Sequence, residues 1–212
     1  QKTTRMTLGN ILARANLTDL FREYYEAYSS MVFDKEDTPL GLTPLHVAAR
    51  EGNTEIIEFY KGNKLSLNHT DKYGNTACIQ AVLAGNIDFL EKLIEAGADI
   101  NITNKDGRSA LHIAAAKGST KAIEHLVGKR SGEELYKVVR KQDVYGNTAL
   151  QMASTYGKVE SAKVLLEKDP ELFFIHNDER RYPIHTASVQ GHEKLFEHFV
   201  SDDLISLLQK VR

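Results

Sequence analysis

The sequence predicts an all-α solenoid of helix-turn-helix units joined by hairpin-like turns, and three observations predict it. Two columns of glycine share one set of spacings. Gly41, Gly74, Gly107, Gly146 and the position of Arg180 step by 33, 33, 39 and 34 residues, and Gly52, Gly85, Gly118, Gly157 and Gly191 step identically. Two columns with the same odd step mark a tandem repeat, in which length counts units rather than separate cores. The pentapeptide "DKYGN" at Asp71 recurs as "DVYGN" at Asp143. Finally, Thr43, Thr76, Ser109 and Thr148 each stand between a turn and an apolar run, where a hydroxyl caps the first free amides of a helix.

Each part of the unit has a physical reason. Asp71 and Asp143 open a turn in which Gly74 and Gly146 take a positive φ that a side-chain-bearing residue resists. The first helix carries a column of small residues, Ala48, Ala81, Ala114, Ala153 and Ala187, which lets neighbouring helices approach closely. The second helix supplies bulk. Ile57, Leu90, Ile123, Ala162 and Phe196 stand three residues before Tyr60, Leu93, Leu126, Leu165 and Phe199, a spacing that predicts a buried stripe. Gly97 in "EAGAD" closes one such helix.

Ahead of the regular units, "LTDLFREYYEAYSSMVF" reads as the second helix of a degenerate unit, with Leu12, Ala13 and Ala15 in the columns of Leu45, His46 and Ala48. A polar-faced cap is expected at the end of a stack. The six additional residues of the third regular unit lie in "VGKRSGEELYKVVRKQ". Ser131 and Glu134 have capping-box spacing, and Leu135, Val138 and Val139 form an apolar stripe, so an added or extended helix is predicted over Gly132 to Arg140. Lys129, Arg130, Lys137, Arg140 and Lys141 make it a candidate basic contact. In the last unit, Arg180 replaces the turn glycine and Tyr182 the capping threonine, which predicts a distorted turn. Asp169 and Pro170 suit the start of a short extra turn.

"GLTPLHVAAREGN", "GNTACIQAVLAGN", "GRSALHIAAAKGS", "GNTALQMASTYGK" and "RRYPIHTASVQGH" occupy the same columns. Their T-P-L-H-x-A core and 33-residue period resemble the ankyrin repeat. The resemblance divides the chain into a capping or degenerate repeat at residues 1–36 and five repeats over 37–212, at about 38–70, 71–103, 104–142, 143–176 and 177–212, as one continuous stack. The last two units also resemble repeats of plant ankyrin proteins that carry a membrane-spanning C-terminal region.

Composition narrows the function. The formal net charge of -2 provides no global field for nucleic acid or an anionic membrane. The single cysteine, Cys78, and the absence of a secretory signal before the N-x-S/T sites at Asn16, Asn68 and Asn101 point to a reducing, cytoplasmic setting, either for the whole protein or for the cytosolic part of a membrane-tethered one. No apolar run approaches the ~20 residues that cross a bilayer. Catalysis is not expected. His46, His112 and His185 recur in one column, so stacking at roughly 8–10 Å per repeat puts His46 and His112 too far apart to share a metal. The resemblance implies instead that this histidine bonds across the turn. Cys78 stands in for a core leucine, and no phosphate-binding loop or hydrolase motif is present. No cofactor is expected.

The resemblance therefore implies a non-catalytic module that binds a protein through the concave surface of turn tips and first helices. Its column pattern selects Leu40, Leu42, Arg50 and Glu51 in the first regular repeat, then Lys72, Tyr73, Asn75 and Leu83. The third repeat contributes Lys105, Asp106, Arg108 and Lys117, and the fourth Val144, Tyr145, Asn147, Thr155 and Tyr156. Tyr73, Tyr145 and Tyr156 are the candidate aromatic anchors. The alternative is a binder of nucleic acid or a phosphorylated ligand using Lys72, Lys105, Arg108 and Lys117. Asp106 among those cations, and the lack of interleaved aromatics, argue against it.

Overall fold

The computed structural model describes residues 8–28, 40–128 and 130–201. Those residues are helical, with no strand among them. They fall into two compact units, one ending at Lys105 and the other beginning at Asp106. The first unit holds α1 (Leu8–Arg14), α2 (Thr18–Tyr28), α3 (Pro44–Glu51), α4 (Glu55–Gly62), α5 (Ala77–Ala84) and α6 (Ile87–Glu95). Its first helices stack α1 on α3 and α3 on α5, with α2 against α4 behind them. The second unit holds α7 (Ala110–Lys117), α8 (Thr120–Val127), α9 (Gly132–Val139), α10 (Ala149–Thr155), α11 (Val159–Lys168), a 3-10 turn at Pro170–Phe174, α12 (Pro183–Val189) and α13 (Glu193–Phe199). There α10 packs between α7 and α12, and α11 lies against α8 and α13.

The repeated pentapeptide forms one and the same turn. The Asp71 carboxylate accepts from the amides of Tyr73 and Asn75, both at 2.8 Å, while the Gly74 amide donates to the Asp71 carbonyl at 2.9 Å. Asp143 does the same for Tyr145 and Asn147. Each tip then bonds the next one in its unit: Lys105 N donates to the Tyr73 carbonyl at 2.9 Å, and Asp178 N to the Tyr145 carbonyl at 3.1 Å. This leaves no room for a side chain at the turn glycine. A Cβ on Gly74, whose φ is +81°, would sit 2.8 Å from the Lys105 amide nitrogen.

The last turn is not distorted. Arg180 itself adopts the left-handed conformation, at φ 57°, and the bonds of Asn177 to Arg180 and Arg181 reproduce those of Asp71. The turn geometry wins over the local preference, since losing its hydrogen bonds would cost more than the roughly 1–2 kcal/mol an L residue incurs there. Arg180→Gly is therefore expected to raise stability by about 0.5–1 kcal/mol, the relief of strain exceeding the added unfolded-state entropy. A urea midpoint that does not rise would show that the turn holds arginine without strain.

Burial follows the expected columns, with one correction. The small first-helix residues and the paired stripe of the second helices are buried, except that Phe196 is 39% exposed in the last described repeat. Helix α9 forms as the inserted stripe requires, burying Leu135, Val138 and Val139, but Ser131 makes no side-chain cap bond, and Glu134 instead pairs with Arg130 at 3.2 Å. The predicted basic contact is thinned from within. Arg130 also donates to the Leu126 carbonyl, and Arg140 turns inward onto Asp169 and Glu171. Lys129 lies outside the described residues.

The register expected at the N-terminus is also corrected. Asn16, at φ 54°, takes the left-handed place that Gly52 takes 36 residues later, and the Leu17 amide reaches the Leu12 carbonyl as that of Asn53 reaches Ala48. Leu12 therefore matches Ala48, and Ala15 is exposed. A search for glycines misses this because asparagine also tolerates the left-handed region.

Candidate functional site

The turn tips and first helices bring several of the candidate residues together. In the first unit, Leu40, Leu42, Arg50, Tyr73 and Leu83 line a groove of 590 Å³ with Glu51, Asp71, Gln80 and Ala84. Tyr73 is held through its backbone, its amide on Asp71 and its carbonyl on Lys105, while its side chain is 60% exposed. The anchoring of the main chain and the freedom of the ring have the same origin, because the turn uses backbone groups and projects the side chain of its third residue outward. Leu83, on the last turn of α5, is exposed as well. The acids of this groove are engaged: Glu51 pairs with Arg14 at 3.5 Å, and Asp71 accepts from Gln80 and Asn75 in addition to the two turn amides. Lys72 and Lys105 are exposed at successive tips.

Asn75 does not belong to that surface. It is buried, donating to Asp71 at 3.1 Å and accepting from Asn104 at 3.2 Å. The polar amide completes the turn because the main chain there needs a rigid partner next to the tip. Its counterpart Asn147 is half-buried and accepts from Asn177 at 3.0 Å. Asn75 and Asn147 are thus residues of the scaffold, a correction to the column pattern that selected them.

In the second unit, Tyr145 is 58% exposed, and Val144 and Tyr156 are exposed too. Asp106 and Lys117 are exposed, whereas Arg108 is half-buried against Asp143 at 3.2 Å and Asp106 at 3.7 Å. A cation neutralised by two carboxylates contributes little to an anion site. The spacing of residues could not reveal this, since Asp143 lies 35 positions away.

The histidines of the first-helix column are structural. His46 Nε2 donates to the Asn75 carbonyl at 2.9 Å, so Nδ1 is left as the acceptor for the Thr43 amide and hydroxyl. His112 binds Ser109 and the Asn147 carbonyl in the same way. Each imidazole ties the start of its own helix to the next turn. His185 accepts from the Tyr182 amide at 3.3 Å and meets the Tyr182 ring edge-on at 5.5 Å.

Burial pushes the titration of His46 and His112 down, with the carbonyl acceptors opposing it in part. Such a group stays neutral in the folded state while the unfolded chain takes up a proton below about pH 6.5. Stability is then complete above that pH and falls as acid is added. The urea midpoint is expected to drop between about pH 7.5 and 5.5, and to drop less in His112→Gln, which retains an N–H donor without a titrating group. An equal drop in both proteins would assign the acid sensitivity elsewhere.

Cys78 is buried, and burial raises its thiol to about 12, which keeps it protonated and unreactive at neutral pH. Among the described residues no group of three or more His, Cys, Asp or Glu side chains is placed to hold a metal ion. No helix among them is long and apolar enough to cross a membrane.

Comparison with known proteins agrees with this architecture. The family model described as ankyrin repeats (3 copies) matches residues 11–104 and 79–174. The chain is 29% identical over 174 residues to mouse Inversin, covering 68% of this chain and 16% of that protein. It is 32% identical over 166 residues to the Caenorhabditis elegans ankyrin repeat and KH domain-containing protein mask-1, covering 75% of this chain and 6% of that protein. This chain thus spans a sixth or less of the length of these two relatives. Among solved structures, a chain from the complex of the predatory endopeptidase Bd0816 of Bdellovibrio bacteriovorus with immunity protein Bd3460 superposes with a TM-score of 0.74 over 98% of this chain and 99% of that one. At 22% identity that likeness concerns the fold alone. With two glycine columns, the histidine bridges and a family match spanning most of its length, the chain belongs to the ankyrin-repeat family.

Proposed function

We propose that this chain is a non-catalytic, cytoplasmic interaction module that holds a protein partner on its turn tips and first helices. The observation that carries the reading is the groove beside Tyr73, where apolar side chains are exposed on a backbone fixed by hydrogen bonds. A rigid aromatic costs little entropy to immobilise, and such residues dominate binding energy at interfaces. Leu42, Leu83 and Arg50 would complete the contact in the first unit, and Tyr145 and Tyr156 would form a separate one in the second. Ankyrin repeats in general serve protein partners and are not enzymes, which supports the reading.

The test uses a peptide ligand selected against the intact chain. Tyr73→Ala is expected to weaken its binding about 30-fold, the equivalent of roughly 2 kcal/mol for an anchor, with the urea midpoint unchanged. Retained affinity with a lowered midpoint would make the ring part of the scaffold. A steep loss of affinity with added salt would instead favour the binding of a phosphorylated or nucleic-acid ligand.

A further inference from the structure

Helices α1 and α2 reproduce a regular repeat residue by residue at an offset of 36. Asn10 stands where His46 stands and makes the same kind of bridge, its amide donating to the Leu42 carbonyl at 2.9 Å. Asn16 takes the conformation of Gly52, and Phe21 fills the column of Ile57, fully buried with its ring 5.1 Å from that of Phe59 in an edge-on contact.

On the opposite face the match breaks down in exposure but not in chemistry. Leu20 falls in the column of Ile56, Phe89, Ala122, Ser161 and Leu195. Those five are at most 3% exposed, while Leu20 is 50% exposed. Ile11 matches Val47, which is buried where α1 packs on α3, yet Ile11 is itself exposed. Leu8 matches Pro44 and the buried alanines of later repeats, and is exposed too.

The column of Leu20 is buried in the last described repeat and open in the first, whereas the column of Phe196 is buried in the first and open in the last. The Leu20 column therefore faces the preceding repeat. A terminal cap would carry polar side chains at such positions. Here Leu8, Ile11 and Leu20 present aliphatic groups in the very columns that Pro44, Val47 and Ile56 use to receive α1 and α2, so the exposed face continues an established stacking interface.

We propose that α1 and α2 form an internal repeat and not a cap, and that their open face receives another ankyrin-type helix pair belonging to the polypeptide N-terminal to them. The occupant has a defined chemistry. It must offer the face that α1 and α2 turn toward α3 and α4, small residues on its first helix and a bulky apolar residue in the column of Phe21. Leu17, in the column of Asn53, adds apolar area to the contact but cannot supply the bond that Asn53 makes to the Ala13 carbonyl.

Leu20→Cys provides the test, because Cys78 is buried and stays silent to a thiol reagent. Maleimide labelling, read by mass spectrometry on the peptide containing residue 20, is compared between the 212-residue chain and the natural full-length polypeptide. Labelling is expected to be fast in the former and at least tenfold slower in the latter. Equal rates overturn the proposal. So does slow labelling of the 212-residue chain that speeds up on dilution, which would assign the face to a second copy. Leu20→Glu is expected to leave the urea midpoint of the 212-residue chain unchanged; a clear fall would mean that the face is already covered within it, and would also overturn the proposal.

Discussion

Gly74→Ala is expected to cost the first unit about 2–3 kcal/mol, about 1 kcal/mol more than the same change at a glycine in an open left-handed position. Two effects add. The backbone at φ +81° strains any L residue by roughly 1–2 kcal/mol. A Cβ would also lie 2.8 Å from the Lys105 nitrogen and 3.0 Å from two backbone atoms of Asn104, so the neighbouring tip must shift and its bond to the Tyr73 carbonyl, worth about 1 kcal/mol, is lost. Gly97 is the control. Its φ is +91°, but a Cβ there meets nothing within 4 Å among the described residues, so Gly97→Ala should cost only the conformational part. Urea midpoints of the two variants give the answer by difference. If they fall equally, the tips do not press on each other. The Gly74 variant is also expected to loosen Tyr73, since the lost bond is the one that fixes its carbonyl.

Arg140→Ala is expected to destabilise the second unit by about 2 kcal/mol. Its guanidinium grips Asp169 through two nitrogens, one of them at 2.9 Å, and reaches Glu171 at 2.8 Å while lying 4.2 Å from the centre of the Tyr136 ring. Asp169 is buried and also caps the 3-10 turn through the Glu171 amide. Removing the cation strands a buried carboxylate, a loss of about 3–5 kcal/mol for a fully buried pair, reduced here because the arginine is about a third exposed to solvent. Hydrogen bonding to Asp169 raises the arginine's own titration, in keeping with a held charge. Arg140→Lys should recover little, because an ammonium has no planar fork with which to span both oxygens. A lysine variant with the parental midpoint would show that the charge alone suffices. This clamp is what attaches the inserted helix to the following corner, so the same variant should speed hydrogen exchange in α9 relative to α10.

Much of this molecule is legible without coordinates because its information is periodic. A turn that needs glycine, a hydroxyl that caps a helix, a histidine behind it and an alternation of small and bulky columns all recur at a fixed step. Local backbone chemistry decides each of them, so Thr76 and Thr148 cap their helices and Cys78 sits in the core as its column requires. What departs from the period had to wait for the fold. The column pattern places the N-terminal repeat three residues out of register because asparagine performs the glycine's role at Asn16.

The candidate surface divides along the same line. The amino-acid sequence by itself determined the ankyrin architecture and the outward placement of Tyr73 and Tyr145, because position within a turn sets the direction of a side chain. Only the tertiary structure decided which polar residues remain available. Asn75 is taken by Asp71 and Asn104, Arg108 by Asp143, and Arg140 by Asp169, partners between 4 and 35 residues away. Hydrogen bonds and ion pairs are settled by three-dimensional proximity, and a one-dimensional column carries no record of which neighbour has already claimed a charge.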